Sequence, residues 1–310
     1  MIKLLKVFIL IIIFQVEVFA EDKVFIIKKI NKEIITNLDV MREYQYLQLL
    51  NKEFIKFNKN EALKIAEKSL TQEKIKKNEI NKFFKIEDFK DDKLIDLYFN
   101  NLIKKIGLEN EFQFNNYIAR FDISKEDIRE KIKIEILWNQ LILAKYKTKV
   151  TIDEKKILET IKEQKKKQGN IVEYDLYEIV FQVKNLDELN NKYENIKNDI
   201  KDIGIQNTAI KHSIAETAKL GGYTGKIEEN RLSKRIKDQL NSLKIGEYTD
   251  PINIGGNFLV LFVNDKQILK NKINEQEMLK NITQFETEKQ LNVFSQIYFN
   301  KIKLQSNINE

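Results

Sequence analysis

A chain of 310 residues, 42% hydrophobic and 33% charged, is long enough for two domains with sizeable cores, and one Pro with 9 Gly over that length favours long helices. It has no Cys and a single His, so disulfides, thiol nucleophiles and His-rich metal sites are excluded and a His-based catalytic triad has little to draw on. The 54 basic and 47 acidic residues leave a formal charge of +7, interspersed as on solvated helix faces; the dense basic run Lys162 to Lys167 lacks the aromatics of a single-strand nucleic-acid binder.

The first twenty residues have the form of an export signal. Lys3 and Lys6 supply a basic start, an apolar run extends from Val7 to Phe14, and Val18-Phe19-Ala20 places small residues where a signal peptidase reads. The apolar run is shorter than the roughly 20 residues that span a bilayer. Cleavage after Ala20 is therefore expected, with an uncleaved anchor as the alternative.

Val24-Phe25-Ile26-Ile27 and Ile34-Ile35 read as a strand pair turning at Asn31-Lys32. A helix is expected from Thr36, with Asp39 completing a capping box and with Val40, Tyr44, Leu47 and Leu50 near one face. Helices follow at about Glu61 to Asn81, Lys93 to Ile106, which stops at Gly107, and Glu111 to Arg120. Ser124 and Asp127 open a long helix to about Lys147, whose apolar stripe includes Ile128, Ile132, Ile136, Trp138, Leu141 and Ile142. Trp138 reads as a core anchor, with a client-contacting aromatic as the sharper alternative. Thr151 with Glu154 predicts another capping box, on a charged helix ending near Gly169.

The pattern changes at Asn170. Leu176 to Val183 is strand-like, and Asn185 with Glu188 caps a helix whose apolar face runs from Leu186 to Ile203. The cluster Gly221-Gly222-Tyr223-Thr224-Gly225 reads as a structural turn, since it lacks the Lys and Ser/Thr of a phosphate-binding loop. A short helix carries Leu232, Ile236, Leu240 and Leu243, and a strand from Phe258 to Val263 follows a Gly255-Gly256 turn. Helices and strands do not alternate regularly, so the class is α+β with a small antiparallel sheet. A final helical pattern runs from about Asn274 to Lys303.

Four pieces in order carry a family resemblance: Leu176-Tyr177-Glu178-Ile179-Val180-Phe181; Ser213 followed by Gly221-Gly222 and Gly225; Leu243 to Ile252; and the strand after Gly256. Together they resemble a parvulin-type peptidyl-prolyl isomerase domain. The flanks, in Asp22 to Asn51 and Phe112 to Val150, resemble SurA-type periplasmic chaperones, in which a C-terminal helix returns to complete the N-terminal domain. The resemblance implies a signal peptide at 1–20, a mainly helical domain at 21–169, a parvulin-like domain at 170–268, and a helix at 269–310 packing on the helical domain. SurA proteins often carry two parvulin modules; this chain has room for one.

Parvulins pair an apolar proline pocket with a polar cluster that includes two His and a nearby acid or Cys. By resemblance those three positions are Glu178, Phe258 and Ala215, so the polar network is lost, while Leu232 and Ile236 keep the apolar wall and Phe258 would add to the substrate-binding surface. No catalytic residue is assigned. Glu178 could act as a lone acid, though a solvated strand carboxylate is the plainer reading. His212 misses both His positions and reads as surface or structural. The expected function is an ATP-independent periplasmic holdase that binds unfolded outer-membrane proteins and extended peptides, without cofactor, metal or nucleic acid; an active exported prolyl isomerase is the alternative.

Overall fold

The computed structural model describes residues 23–166, 171–269 and 275–309. The signal-peptide segment, the stop near Gly169 and the change at Asn170 lie outside the described residues.

The chain starts with an antiparallel hairpin of β1 (Ile26–Ile30) and β2 (Glu33–Thr36). Asn31 turns it at φ 54°, a left-handed conformation that Asn tolerates better than most residues. Thr36 and Asp39 form the expected capping box on α1 (Asn37–Leu50). Side-chain caps from Asn58, Asp91 and Asn110 open α2 (Lys59–Ile80), α3 (Asp92–Lys105) and α4 (Glu111–Ile118). A second capping box, Ser124 with Asp127, opens α5 (Lys125–Tyr146).

Two expectations are corrected here. The cap of α6 (Glu154–Lys166) is Asp153, whose Oδ1 accepts from the Lys156 amide at 3.0 Å; Thr151 instead exchanges backbone hydrogen bonds with the Gln290 side chain. The apolar residues of α1 do not share one face. Val40 and Leu47 enter one core, and Leu50, with Tyr46 and Leu49, enters a second. The stripe on α5 divides likewise: Ile128, Ile132 and Ile136 join the second core, while Trp138, Leu141 and Ile142 join the first. Both helices are therefore wrapped on two sides.

A four-stranded sheet runs β4 (Tyr223–Glu228), β3 (Ile171–Phe181), β6 (Asn257–Leu269), β5 (Ile252–Ile254), antiparallel throughout. It carries α7 (Asp187–His212) and α8 (Lys234–Ser242). The expected Asn185 cap is present, its Oδ1 accepting from the Glu188 amide at 3.0 Å. The helical pattern does not end at Ile203. Gly204 breaks the backbone at φ 81°, ψ 163°, and a second limb continues to His212. That limb is turned onto the first core: Ile210 is buried there, and Asn207 Nδ2 donates to the Glu53 carbonyl at 2.9 Å.

The last helix, α9 (Glu275–Gln305), places Tyr298 and Ile302 in the core built by α1, α2 and α5. Trp138 is a core residue, 1% exposed. Its indole N–H donates to Ser295 Oγ at 2.8 Å, and its ring stacks on Tyr298 with centroids 5.8 Å apart. The Tyr298 hydroxyl in turn donates to Glu79 on α2. After α9, a short strand that the sequence did not reveal, β7 (Ile308–Asn309), pairs with β1. Among the described residues, no helix is long and apolar enough to cross a membrane.

A buried charge cluster ties α1, α2 and α5 together. Lys131 Nζ lies 2.6 Å from both Glu43 Oε2 and Glu73 Oε2, and Ser69 donates to Glu43 at 2.6 Å. Burial alone would lower the Lys131 pKa, but Glu43 and Glu73 hold it above its ordinary value. Replacing Lys131 with Met strands two carboxylates, and breaking a buried pair this way costs about 3–5 kcal/mol. The expected result is a lowered denaturation midpoint with unchanged slope, measured by urea unfolding; an unchanged midpoint would contradict this account. Removing residues 275–310 takes Ser295 and Tyr298 from Trp138 and β7 from β1. The rest of the chain should then lose its cooperative melt, checked by near-UV circular dichroism; a melting profile like that of the full chain would refute it.

Candidate functional site: one face of the four-stranded sheet

Strand periodicity decides which side chains meet. Alternate residues of a strand point to opposite faces of the sheet. Leu176 and Val180 on β3, with Leu259, Leu261 and Val263 on β6, face α8 and pack with Ile236 and Leu240. Ile179 and Phe181, with Phe258 and Val260, face the first limb of α7 and pack with Ile196.

Glu178 follows the period of Leu176 and Val180. It is half-buried, so the reading as a fully solvated carboxylate is corrected. Burial pushes its carboxyl pKa up, and a hydrogen bond donated by Thr217 Oγ1 at 2.8 Å pulls it partly back. Its backbone amide donates to the Gly222 carbonyl at 2.7 Å. The approach there is close: a Cβ on Gly222 would sit 2.4 Å from the Glu178 carbonyl oxygen and 2.7 Å from Ala209 Cβ, at a φ of +79°. The structural reading of this glycine thus has a specific cause.

Ser213 stitches the loop to the sheet, its Oγ accepting from the Val180 amide at 3.0 Å and the Ala215 amide at 3.2 Å. Ala215 packs into the same cluster as Leu232 and Ile236. The structure therefore brings Glu178, Ala215, Leu232 and Ile236 to one face of the sheet. Phe258 does not join them. It stacks on Phe181 on the opposite face, centroids 5.9 Å apart, so grouping it with Leu232 and Ile236 as one substrate surface is corrected. Beside Ile236, a groove of about 270 Å³ runs between Ile252 and Ile254 of β5 and Val293 and Phe294 of α9, so the helical body supplies one wall of it.

His212 is structural. Its Nε2 lies 2.5 Å from Asp199 Oδ2 and its Nδ1 2.9 Å from Lys192 Nζ, the pattern of a neutral ring donating from Nε2 and accepting at Nδ1. Burial lowers its pKa, which suits that neutral form. Sequence reasoning missed Thr217, the hydroxyl partner of Glu178. It also missed the packing of Tyr177 against Tyr223, at 5.2 Å between centroids. The only available signal was the period of β3.

Residues 178–265 match the family described as Rotamase, PPIC-type PPIASE domain. The chain is 21% identical over 203 residues to the chaperone SurA of Pseudomonas putida, covering 62% of this chain and 48% of that one. It is 36% identical over 47 residues to the periplasmic chaperone PpiD of Haemophilus influenzae, covering 15% of this chain and 8% of that one. The chain thus spans about half the length of the SurA relative and a small part of PpiD. Among solved structures, a SurA-like chaperone of Campylobacter jejuni is 17% identical, with 92% of this chain and 98% of that one covered, at a TM-score of 0.34. The peptidylprolyl isomerase PrsA of Bacillus anthracis is 16% identical, with 78% and 98% covered, at a TM-score of 0.30. Superpositions at that level carry no weight for function. The sheet and its helices are a parvulin-type module of the PPIC kind. Over those 203 residues the chain is similar to a SurA chaperone, and the described residues hold one such module.

The raised carboxyl of Glu178 gives a pH test. A folded pKa above the unfolded value, ordinarily ~4.3 for Glu, means that the folded state binds the proton more tightly. Its contribution to stability is full below the unfolded pKa and is lost as pH rises through the folded pKa. Glu178→Gln imitates the protonated group. The melting temperature of the variant minus that of the wild type should therefore grow as pH rises through this window; a difference constant with pH would contradict it.

Proposed function

We propose that this protein is an ATP-independent chaperone of the cell envelope. It is exported by a signal cut after Ala20, works in the periplasm, and holds unfolded outer-membrane proteins in transit. In this reading residues 21–169 and the C-terminal helix form the holding domain, and residues 170–268 form a parvulin-like module that is at most a feeble isomerase. The observation that carries it is the pairing of two surfaces. The helical body presents exposed apolar side chains, among them Ile55, Leu97, Phe83 and Phe112, while the module sets Glu178 and Ala215 on the face of Leu232 and Ile236 and turns Phe258 to the opposite face. Similarity to proteins named as chaperones supports the reading. Apolar surface that stays exposed on a folded body can hold extended segments without folding them.

One observation favours a second reading, residual isomerase activity. Glu178 is a carboxyl of raised pKa on the face of Leu232 and Ile236, and in its protonated form it could donate a hydrogen bond to a twisting prolyl peptide.

The test uses the full chain, because residues 205–220 pack on the helical body and excising the module would strip that packing. Positioned acid–base groups contribute about 10²–10⁴-fold, so proline-limited refolding should run near its uncatalysed rate. Aggregation of an unfolded outer-membrane protein should be suppressed, equally by wild type and Glu178→Gln. Strong isomerisation abolished by Glu178→Gln would establish the second reading, and failure to suppress aggregation would remove the first.

A further inference from the structure

We propose that a groove between the end of α1 and α4 is an anchoring site for carboxylate-bearing apolar segments of extended polypeptides, with Tyr117 as its platform and Lys52 and Arg120 as its anion-holding groups. This rests on the chaperone reading and names the chemistry of the segments held.

The groove has a volume of about 630 Å³. Tyr117 is fixed in its wall: the hydroxyl donates to the Leu49 carbonyl at 3.1 Å, and the ring packs edge-on against Phe121 with centroids 5.4 Å apart. Lys52 Nζ lies 5.5 Å from the Tyr117 ring centroid, and the Arg120 guanidinium lies 6.0 Å from it. Two cations thus converge on one aromatic ring.

Their charge is left over. Three other cations of this body are paired, Lys56 with Glu53, Lys125 with Glu111, and Arg129 with Asp96 at 2.6 Å. Lys52 and Arg120 form no ion pair with any described residue, and no carboxylate lines the groove. The Gln113 amide, which does line it, holds Glu109 at 3.3 Å.

The rest of the surface is apolar and open. Ile55, in the wall, is 73% exposed, and Phe112, one turn before Asn116 on α4, is 75% exposed. Beside the Tyr117 ring they add apolar area next to the two cations.

Charge complementarity selects the occupant. A carboxylate can take a forked pair of hydrogen bonds from a guanidinium, with an ammonium as a second point charge. An apolar side chain next to it in the segment would cover Ile55 and the Tyr117 edge. A neutral segment would leave both cations unanswered, and a basic one would be repelled. Affinity should therefore be salt-sensitive, as for charges at a rim.

The probe is a short, labelled, unstructured peptide of Leu, Phe and Glu, compared with versions carrying Gln or Lys in place of Glu, by fluorescence anisotropy on the full chain. The Glu peptide should bind about tenfold or more tightly than the Gln peptide, a gap equivalent to about one strong charged contact. Added salt should narrow the gap, and Lys52→Glu with Arg120→Glu should abolish it. A second measurement needs no variant. A carbodiimide activates the peptide carboxylate, and the amine it contacts displaces the urea to form an amide; mass spectrometry should place that amide on Lys52. Equal binding of the Glu and Gln peptides, coupling spread over other lysines, or a preference for phosphatidylglycerol vesicles over every peptide would overturn the proposal. A wild type that suppresses aggregation yet shows no Glu preference refutes this inference alone. One that suppresses none refutes the chaperone reading beneath it.

Discussion

The architecture depends on the seating of Trp138. Its indole lies between α5 and α9, with its N–H on Ser295 and its ring on Tyr298, and the Tyr298 hydroxyl reaches Glu79 on α2. A buried indole contributes a large apolar area but leaves its N–H in need of an acceptor. Only the last helix supplies that acceptor. The helical body therefore closes through a residue more than 150 positions away in sequence, and β7 then ties the chain end to β1. The parvulin-type module is spliced into the loop that this closure forms.

That insertion has a consequence for the module. Beyond the bend at Gly204, the second limb of α7 keeps Ile205 and Ala209 against the sheet and sends Ile210 into the core of the helical body. Lys76 pairs with Glu216 at 2.5 Å, Lys211 with Glu61 at 3.1 Å, and Asn300 donates to Gln182 at 3.2 Å. Pairs of this kind, partly exposed, are individually worth little. Together with Ile210 in the first core, they fix the loop bearing Ser213 and Ala215 from outside. This loop is thereby a docking element between the sheet and the helical body.

The same strand geometry sorts the side chains of the module. Phe258 packs away from the groove, where it stacks on Phe181 and adds to the apolar layer under α7. Ala215 adds only a methyl group to the layer under α8. Glu178 keeps a carboxyl, answered by one hydroxyl and displaced toward its protonated form by burial. Lys52 and Arg120, which converge on Tyr117, belong to the helical body and lie apart from this face.

The sequence by itself determined whatever is settled within a few residues. Thr36 with Asp39 and Ser124 with Asp127 specify their helix starts, because a capping box spans one turn. Asn31 specifies the hairpin, and the order of strands, glycines and helices between 172 and 265 specifies the module. The structure decided what depends on partners distant in the chain. It chose Asp153 over Thr151 as the α6 cap, because Thr151 is taken by Gln290. It split the stripes of α1 and α5 between two cores, since a helix face acquires meaning only from what packs on it. It sent Phe258 to the far side of the sheet, a placement set by pairing register and by α7 packing, not by residue type. And it left Lys52 and Arg120 without carboxylates, because neutralising a charge requires an opposite charge nearby in space, which one-dimensional order does not state.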